Sequence, residues 1–299
     1  MDDEVLEKYR LAGKIAAEAR DFGVNLIKPD ISFLYVVNKI ESKIIERGAG
    51  IAFPVNISIN ELAAHFTPRH DDWLFFKKGD VVKLDVGTYI DGYIADTAVT
   101  VEIQTHKYDD MIKASSEGLK TAIDIIKAGV NLSKVGKAVK ETINSYGFKP
   151  IDNLTGHSLQ RFNLHAGMNI PSVPDLLNKS KPKIGDVLAI EPFATNGQGH
   201  VISRPGSNIY LCNQSLRSRI IRDNKARLNY SKIKKEFKTL PFAERWSNNI
   251  IKNHDMVLRK LTALGLIKHY PRLIEVKKGF VTQKEHTVVV HDDGCEITT

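Results

Sequence analysis

The chain has 299 residues, 42% of them hydrophobic and 26% charged, so it can bury a full core as one large domain or as one domain with an insertion. Its two cysteines, Cys212 and Cys295, lie far apart, which excludes a disulfide framework and makes a reducing cytoplasm the expected location. No apolar run approaches the roughly 20 residues of a membrane-spanning helix, and the acidic start, Met1 to Glu4, is unlike a secretory signal peptide.

The net charge of +8 is concentrated in one part of the chain. Between Arg204 and Lys278 there are 18 lysines and arginines against 5 aspartates and glutamates, a balance of +13, which leaves −5 for the remainder. A basic module is therefore attached to, or inserted into, a mildly acidic one. Most of this basic surface is expected to be a solvated helical face, with contact to RNA or the ribosome as the alternative.

Two pairs of helices are predicted, each followed by strand-like segments. Apolar residues recur near helical spacing in each, and proline or glycine ends each helix. Both pairs share the junction Gly-Val-Asn-Leu, at residues 23–26 and 129–132, so the chain is expected to contain a duplicated half. The predicted helices are 4–26, 32–47, 108–128 and 132–146.

Strands and a basic helical insert account for the rest of the chain. β-Branched and aromatic residues predict the strands, and basic, helix-prone segments fill the region from 208 to about 270. The predicted strands are 50–59, a segment around His157, 163–165, 187–190 and 279–290. The predicted helical segments of the insert are 214–227, 230–238, 242–250 and 255–264.

The stretch from Lys83 to Ala98 is predicted to form two strands either side of a tight turn at residues 90–92. A turn centred on residues 90 and 91 places Asp85 directly opposite Asp96, whereas one centred on 91 and 92 makes them diagonal neighbours. In both cases the two carboxylates share one face, since side chains alternate along a strand. Buried like charges repel each other, so the pair calls for a metal ion. The alternative is a solvated hairpin with incidental aspartates.

Three further residues with metal-binding side chains have strand-like, glycine-flanked contexts: His157, Glu191 and Glu285. Each taken singly is more often a structural ion pair or an ordinary histidine. Together with the two aspartates they make four carboxylates and one imidazole, which are hard ligands suited to a pair of divalent first-row metals. A single zinc more often has three histidines, or two histidines and one acid. Two metals that share carboxylates can bridge one water and lower its pKa.

The order of these five residues resembles the ligand signature of the pita-bread metallopeptidases, which include methionine aminopeptidases, prolidases and aminopeptidases P. The sequence motifs around these residues are most similar to those of methionine aminopeptidases of type 2, in their short archaeal form. The helical insert between Glu191 and Glu285 is the feature that separates type 2 from type 1. The matching motifs are AAHFTP at 63–68, GHS at 156–158, NLHAG at 163–167, AIEPF at 189–193 and KEHT at 284–287.

This resemblance implies an α+β pita-bread fold, a pseudo-symmetric duplicated antiparallel sheet covered by helices, with a small helical, winged-helix-like subdomain inserted. It implies a catalytic domain made of residues 1–207 and 271–299, and an insert subdomain of residues 208–270. The resemblance also favours a monomer as the oligomeric state.

The resemblance further implies a role for each ligand. Asp85 would chelate one metal, and Asp96 and Glu285 would bridge both. His157 and Glu191 would complete the second metal, with Glu191 also taking a proton from the bridging water. The metals would be two divalent ions of cobalt, manganese, iron or zinc.

Two non-ligand histidines and a pocket are implied as well. His65 and His165 would position the substrate and stabilise charge on the tetrahedral intermediate and the leaving nitrogen. Aromatic and apolar side chains would wall the methionine pocket, because a thioether packs well against aromatic rings. These pocket residues are Phe53, Leu164, His165, Phe193 and Tyr270.

The implied activity is removal of the N-terminal methionine from nascent proteins and peptides, with a preference for a small second residue. One alternative is another exopeptidase of the same fold, like a prolidase or an aminopeptidase P. The other is a non-catalytic paralogue that binds RNA or the ribosome, which the complete ligand set disfavours. His286 is expected to pack on the face opposite Glu285. The histidines expected at the surface are His70, His106, His254, His269 and His291.

Overall fold

The computed structural model describes residues 1–215 and 222–299. The first part contains α1 (Asp3–Leu26), α2 (Phe33–Glu46), β1 (Gly50–Ile59), β2 (Leu62–Ala64), β3 (Val81–Ile90) and β4 (Tyr93–Glu102). The second contains α3 (Asp109–Ile125), α4 (Leu132–Ser145), β5 (Lys149–Pro150), β6 (Thr155–Leu159), β7 (Asn169–Pro171), β8 (Val187–Ile190) and β9 (Phe193–Thr195). The remainder contains β10 (Val201–Arg204), β11 (Ile209–Cys212), α5 (Asn224–Phe237), β12 (Phe242–Ala243), α6 (Glu244–Ser247), α7 (His254–Ala263), β13 (Ile267–His269), β14 (Arg272–Glu275), β15 (Val281–Gln283), β16 (His286–Val290) and β17 (Cys295–Ile297).

Both helices of the first pair begin at a side-chain cap. The Val5 N–H donates to Asp2 Oδ1 (2.8 Å) at the start of α1, and the Tyr35 N–H donates to Ser32 Oγ (3.1 Å) at the start of α2. The helices cross at Gly23, where an added Cβ would lie 2.4 Å from Ile40 Cδ1. The predicted helices 4–26 and 32–47 are confirmed to within one residue at each end.

The sheet β1-β3-β4 is antiparallel throughout, and it settles the register of the central hairpin. The turn lies at Asp91 and Gly92, whose φ angles of 51° and 88° are both positive, so Ile90 pairs with Tyr93. Asp96 therefore pairs with Gly87 and is a diagonal neighbour of Asp85 on the same face. This is the second of the two registers that the sequence left open.

The second half repeats the arrangement of the first, with its own helix pair, sheet and core. The predicted helix 132–146 is confirmed, while 108–128 ends three residues early at Ile125, because Ile126 has extended backbone angles. Its strands form the sheets β17-β16-β8-β6-β7 and β15-β9-β5. The core of the first half is centred on residues such as Ile40 and Leu84, and that of the second on residues such as Val139 and Leu188.

Two strand predictions were wrong in detail. The predicted strand 279–290 is two strands, because β15 pairs with β9 whereas β16 pairs with β8. Glu285 lies between them, and its N–H donates to Ala98 O (3.0 Å) of the hairpin. The predicted strand 163–165 is a loop with one isolated bridge between Gln160 and Asn163, since the positive φ of 54° at Phe162 interrupts pairing.

The insert region packs around a hydrophobic cluster of its own, which includes Tyr230, Phe242 and Leu258. α5, α6 and α7 cover the small sheet β12-β11-β13. The predicted segment 230–238 is part of the longer helix α5, the segment 255–264 is α7, and 242–250 is the strand β12 followed by the single turn α6. Part of the predicted segment 214–227 lies outside the described residues. The subdomain limits 208 and 270 stay a prediction.

Candidate metal centre

The structure brings most of the predicted site residues to one cavity between the two halves, with a volume of about 50 Å³. Phe193 is the exception, since its side chain is buried in a separate apolar cluster with Ile151 and Val281. Phe193 packs in that cluster, and its assignment to the methionine pocket stays a prediction. The predicted residues that line the cavity are Phe53, His65, Asp85, Asp96, His157, Leu164, His165, Glu191, Tyr270 and Glu285.

Five different backbone segments deliver the carboxylates and the imidazole. Asp85 and Asp96 come from β3 and β4, His157 from β6, Glu191 follows β8, and Glu285 lies between β15 and β16. The carboxylate oxygen Oδ2 of Asp96 is 3.7 Å from His157 Nε2, which is 3.9 Å from Glu191 Oε1. One ligand atom from each of Asp96, His157 and Glu285 lies within 4.8 Å of the others. This spacing is compatible with shared coordination of a metal ion.

Two threonines hold the Glu285 segment against the hairpin. The Thr97 hydroxyl donates to Glu285 O (2.9 Å), and the Thr287 hydroxyl donates to Asp96 O (2.8 Å) while accepting from the Asp96 N–H (2.8 Å). These buried bonds tie β4 to the break between β15 and β16. The relative positions of Asp96 and Glu285 are thus fixed by hydrogen bonds between threonine side chains and the backbone.

Two amides that the sequence analysis did not single out contact the carboxylates. The Asn56 Nδ2 donates to Asp85 Oδ2 (3.2 Å), and the Gln283 Nε2 donates to Glu191 Oε2 (3.1 Å) and Glu285 Oε2 (3.4 Å). The sequence held a sign of the role of Asn56, because this polar residue stands within the mostly apolar run that forms β1. In the structure it pairs directly with Asp85. Gln283 stands two residues before Glu285 and so carried a weaker signal.

The four carboxylates in the cavity are buried together, an arrangement that bound cations would stabilise. Burial raises the pKa of Asp85 from 3.8 to about 7. Burial also raises the pKa values of Asp96, Glu191 and Glu285 well above their ordinary range, and the neighbouring carboxylates add to the shift. No lysine or arginine is found among the described residues that line the cavity. Four carboxylates are therefore enclosed without a cationic side chain to compensate them.

Unpaired polar atoms at the same place test whether a metal fits. The Oδ1 atoms of Asp85 and Asp96 are both buried, and neither has a hydrogen-bond partner within the part of the chain that the structure describes. Unpaired buried acceptors are rare in folded proteins, and metal coordination satisfies them. Four carboxylates with one imidazole form the donor set that divalent first-row metals accept. The residues present fit a divalent metal site.

Three histidines surround the carboxylates and are held neutral. Burial lowers the pKa of His65 to about 4 and that of His157 to about 3, and it also lowers that of His165. The His65 ring contacts the Tyr270 ring edge-on, at a centroid distance of 5.2 Å, and the His165 ring lies 4.4 Å from the His157 ring. His65 has a positive φ of 63°, a rare conformation for a non-glycine residue that often occurs at functional sites.

One histidine expected at the surface is in fact buried. His254 is 6% exposed and bonds to Glu244, a contact that also includes His70. The prediction failed because the burial depends on a loop almost two hundred positions away in the chain. His286 contacts the Thr299 hydroxyl through Nδ1 (2.9 Å), and burial lowers its pKa to about 4.

Comparison with known proteins identifies relatives along the whole chain. The model of Metallopeptidase family M24 matches residues 7–292. The methionine aminopeptidase of Pyrococcus abyssi is 45% identical over 296 residues, which cover 98% of this chain and 99% of that protein. In the part of the chain that the structure describes, no helix is both long and apolar enough to cross a membrane.

Solved structures share the fold at low sequence identity. A thermophilic Arx1 matches with a TM-score of 0.85 at 16% identity, covering 100% of this chain and 91% of that one. The methionine aminopeptidase of Thermotoga maritima matches with a TM-score of 0.71 at 22% identity, covering 100% and 98%. The predicted α+β pita-bread fold is therefore confirmed.

Proposed function

The chain belongs to metallopeptidase family M24, and from this premise we propose that it removes the N-terminal methionine from nascent proteins and peptides. The observation that carries the proposal is the convergence of four buried carboxylates and His157 beside two neutral histidines in one cavity. Full-length similarity to methionine aminopeptidases, rather than to a fragment of them, supports the same activity.

The proposed centre holds two divalent ions, of cobalt, manganese, iron or zinc. Asp85, Asp96, His157, Glu191 and Glu285 are the residues that would hold these ions. When bound, such ions supply a water of lowered pKa as the nucleophile. The unpaired Oδ1 atoms of both aspartates support their assignment as ligands.

Glu191 is proposed to move the proton of the reaction. Its Oε2 accepts from the Gln283 amide (3.1 Å), which fixes the orientation of the carboxylate, and its Oε1 faces His157. A carboxylate held beside the nucleophilic water can take its proton and pass it to the leaving amine. In the metal-free protein, burial and the charges of Asp96 and Asp85 raise the pKa of Glu191.

His65 and His165 are proposed to contact the scissile peptide group. Both are neutral at pH 7, so each can donate one hydrogen bond without adding a buried charge. A donor directed at the carbonyl oxygen is most valuable when negative charge develops there in the transition state. The edge-on contact with Tyr270 supports the orientation of the His65 ring.

The methionine side chain is proposed to occupy the apolar part of the cavity, between Phe53, Leu164 and Tyr270. Burial raises the pKa of Tyr270 to about 12, so its ring remains a neutral phenol. A thioether is polarisable and packs favourably against such rings. Ile209 and Pro241 line the same cavity.

We further propose that the chain is of type 2, with the insert subdomain at residues 208–270 and the catalytic domain at 1–207 and 271–299. The separate hydrophobic cluster of the insert supports this division. The proposal includes a cytoplasmic, monomeric enzyme. The excess of basic residues in the insert keeps RNA or ribosome contact as a secondary activity, which salt-dependent RNA binding would test.

The proposed activity is tested with three peptides, Met-Ala-Ser, Met-Leu-Ser and Pro-Ala-Ser, on protein that is stripped with chelator and reloaded with manganese or cobalt. We expect release of methionine, faster from Met-Ala-Ser than from Met-Leu-Ser, and no release of proline. Proline release would instead indicate a proline-directed exopeptidase of this fold. Absence of turnover on all three peptides by metal-loaded protein would contradict an enzymatic role and favour the RNA-binding alternative.

A further inference from the structure

A second cluster of metal-binding side chains lies outside the catalytic cavity. His70 Nδ1 is 2.7 Å from Glu244 Oε1, and His254 Nε2 bonds to the same oxygen. One ligand atom from each of the three residues lies within 4.8 Å of the others. The side chains of Glu244 and His254 are 2% and 7% exposed, whereas that of His70 is 30% exposed. The cluster is thus buried on the protein side and open on one side to solvent.

None of these residues takes part in the proposed reaction. Two imidazoles and one buried carboxylate that converge on a point form a ligand set typical of zinc, with the solvent side free for a fourth ligand. Asp255 and Asp71 are the nearest further carboxylates: Asp255 Oδ1 is 3.8 Å from His254 Nε2, and Asp71 Oδ1 is 3.9 Å from His70 Nδ1. Either carboxylate, or a water, can complete a tetrahedral site.

We propose that His70, Glu244 and His254 bind one divalent cation, with zinc as the preferred ion, and that this ion fastens the insert to the catalytic body. His70 belongs to the loop that follows β2 and carries His65, whereas Glu244 and His254 begin α6 and α7 of the insert. The ion would therefore join two parts of the chain that no disulfide connects. The proposal is independent of the proposed function.

The charges around the cluster favour a cation on balance. Arg69 Nη2 lies 3.9 Å from Glu244 Oε1, which opposes cation binding, but the same group is engaged with Asp255 at 3.0 Å. Asp71 also pairs with Arg69, at 3.1 Å. Arg245 also interacts electrostatically with Glu244 and is itself paired with Glu41. Four carboxylates thus face two guanidinium groups, and the net charge around the site is negative before any metal binds.

Metal loading requires a small rearrangement. Tetrahedral zinc with bonds of about 2.0–2.1 Å holds its ligand atoms roughly 3.3 Å apart, so His70 and Glu244 must separate by about 0.6 Å. The partly exposed His70 side chain can make this movement, whereas the buried His254, which lies closer still to the same oxygen, must also withdraw from it. To bind the ion, each histidine must supply the lone pair of one ring nitrogen, and Glu244 must supply a carboxylate oxygen.

The loop that carries His70 already contacts the insert next to this cluster. The Arg245 guanidinium donates to Thr67 Oγ1 (2.7 Å) and Pro68 O (3.1 Å). A metal at His70 would add a second attachment a few residues further along the same loop. Loading is therefore expected to stabilise the junction between the insert and the segment that carries His65.

The test uses the double variant Asp96→Asn, Glu285→Gln, which weakens the catalytic centre but keeps Asp85, His157 and Glu191, so zinc is assigned to the second cluster only where it is lost on the further change His70→Gln. Zinc is titrated into chelator-stripped protein by calorimetry, and the melting temperature is measured with and without zinc. We expect one equivalent of zinc and a rise in melting temperature of several degrees, because a ligand that binds only the folded state stabilises it.

The matched variants add His70→Gln or His106→Gln to this double variant. Glutamine keeps a hydrogen-bond donor towards Glu244 but is a poor zinc ligand. The His70→Gln change should therefore abolish both the bound zinc equivalent and the zinc-dependent rise in melting temperature. The melting temperature of the metal-free protein should stay nearly unchanged. His106 forms an exposed pair with Asp109 (3.0 Å), and its substitution should change neither quantity.

Two results would overturn the proposal. One is the absence of zinc binding to the double variant. The other is an equal zinc equivalent and thermal shift after the His70→Gln change. Either result would leave His70, Glu244 and His254 as a hydrogen-bonded clamp without a metal. Because His70 is partly exposed, its substitution tests the idea even where a change at the buried His254 prevents folding.

Discussion

Asp85 illustrates how one side chain couples the proposed chemistry to the stability of the fold. Its Oδ2 accepts from Asn56 (3.2 Å), while its Oδ1 is buried without a partner among the described residues. Burial raises its pKa from 3.8 to about 7, so the metal-free protein favours the protonated acid. A divalent ion would replace that proton, which links metal affinity to pH.

The metal-free protein should lose stability as the pH rises. A group whose pKa is higher in the folded state stabilises the fold fully below its unfolded pKa, here 3.8, and loses that contribution as the pH rises to about 7. Asp85→Asn removes this titration, so its advantage over the wild type should grow by about 2–4 kcal/mol between pH 4 and pH 7.5. Urea unfolding with chelator present measures it. A difference independent of pH would contradict the assigned burial of the charge.

His65→Ala should separate catalysis from metal binding. The ring is not a ligand in this account, so the metal content should stay at the wild-type value. The loss of a donor to the developing oxyanion should lower kcat by about 10²–10³-fold. Metal analysis and kcat are measured on the same preparation, and a full kcat in the variant would remove His65 from the reaction.

Tyr270→Ala should act on substrate binding. Loss of the ring that faces His65 and the apolar pocket should raise KM for Met-Ala-Ser by about 10–100-fold, the effect of a few missing apolar contacts. Tyr270→Phe retains the ring and is the matched control, with KM near the wild-type value. Equal KM values for the wild type and Tyr270→Ala would place the methionine side chain elsewhere.

The helices and strands show which parts of the fold local sequence can predict. α1 and α2 begin within one residue of their predicted starts, where the side chains of Asp2 and Ser32 accept hydrogen bonds from N–H groups of the first turn. The register of the hairpin was reduced to two alternatives, because any even loop keeps Asp85 and Asp96 on one face. The backbone angles of Asp91 and Gly92 decided between them.

The elements that were predicted wrongly depend on distant partners. Nothing in the run 279–290 shows that β15 and β16 join different sheets, yet that switch places Glu285 between them. The burial of His254 depends on Glu244 and on His70 from the other side of the insert junction. Asn56 and Gln283 were missed for a related reason, since a polar residue in a strand gains its role only from the carboxylates that its side chain contacts.

For the molecule as a whole, the ligand order along the chain was the strongest information in the sequence. Through the resemblance to the pita-bread metallopeptidases it implied a duplicated fold, and the structure has two cores with the carboxylates between them. Charge distribution indicated the basic insert, which has a third core. The attachment of the insert to the body was not foreseen, because it is formed by polar residues that are isolated in sequence.

That attachment includes a buried ion pair. The Arg245 guanidinium bonds to Glu41 on α2, and the Trp246 Nε1 donates to the other oxygen of Glu41 (2.8 Å). The side chains of Arg245 and Glu41 are 5% and 10% exposed. Removal of one partner leaves the other charge buried without compensation.

Glu41→Ala should therefore destabilise the protein by about 3–5 kcal/mol, measured by denaturant unfolding. The exposed pair Lys137 and Glu141, with Nζ and Oε1 3.7 Å apart, provides the control, and Glu141→Ala should change stability by less than about 1 kcal/mol. Similar effects of the two substitutions would show that the insert is not fastened through Glu41.

The account depends most on the claim that the carboxylate cavity binds the metals that make the protein a methionine aminopeptidase. The direct measurement is methionine release from Met-Ala-Ser by stripped protein during manganese titration, with bound metal counted in parallel, for the wild type and for Glu285→Ala. We predict that the stripped wild type is inactive and recovers as metal binds, and that Glu285→Ala loses bound metal and activity together. Undiminished turnover after stripping, or full metal content and activity in Glu285→Ala, would contradict the account.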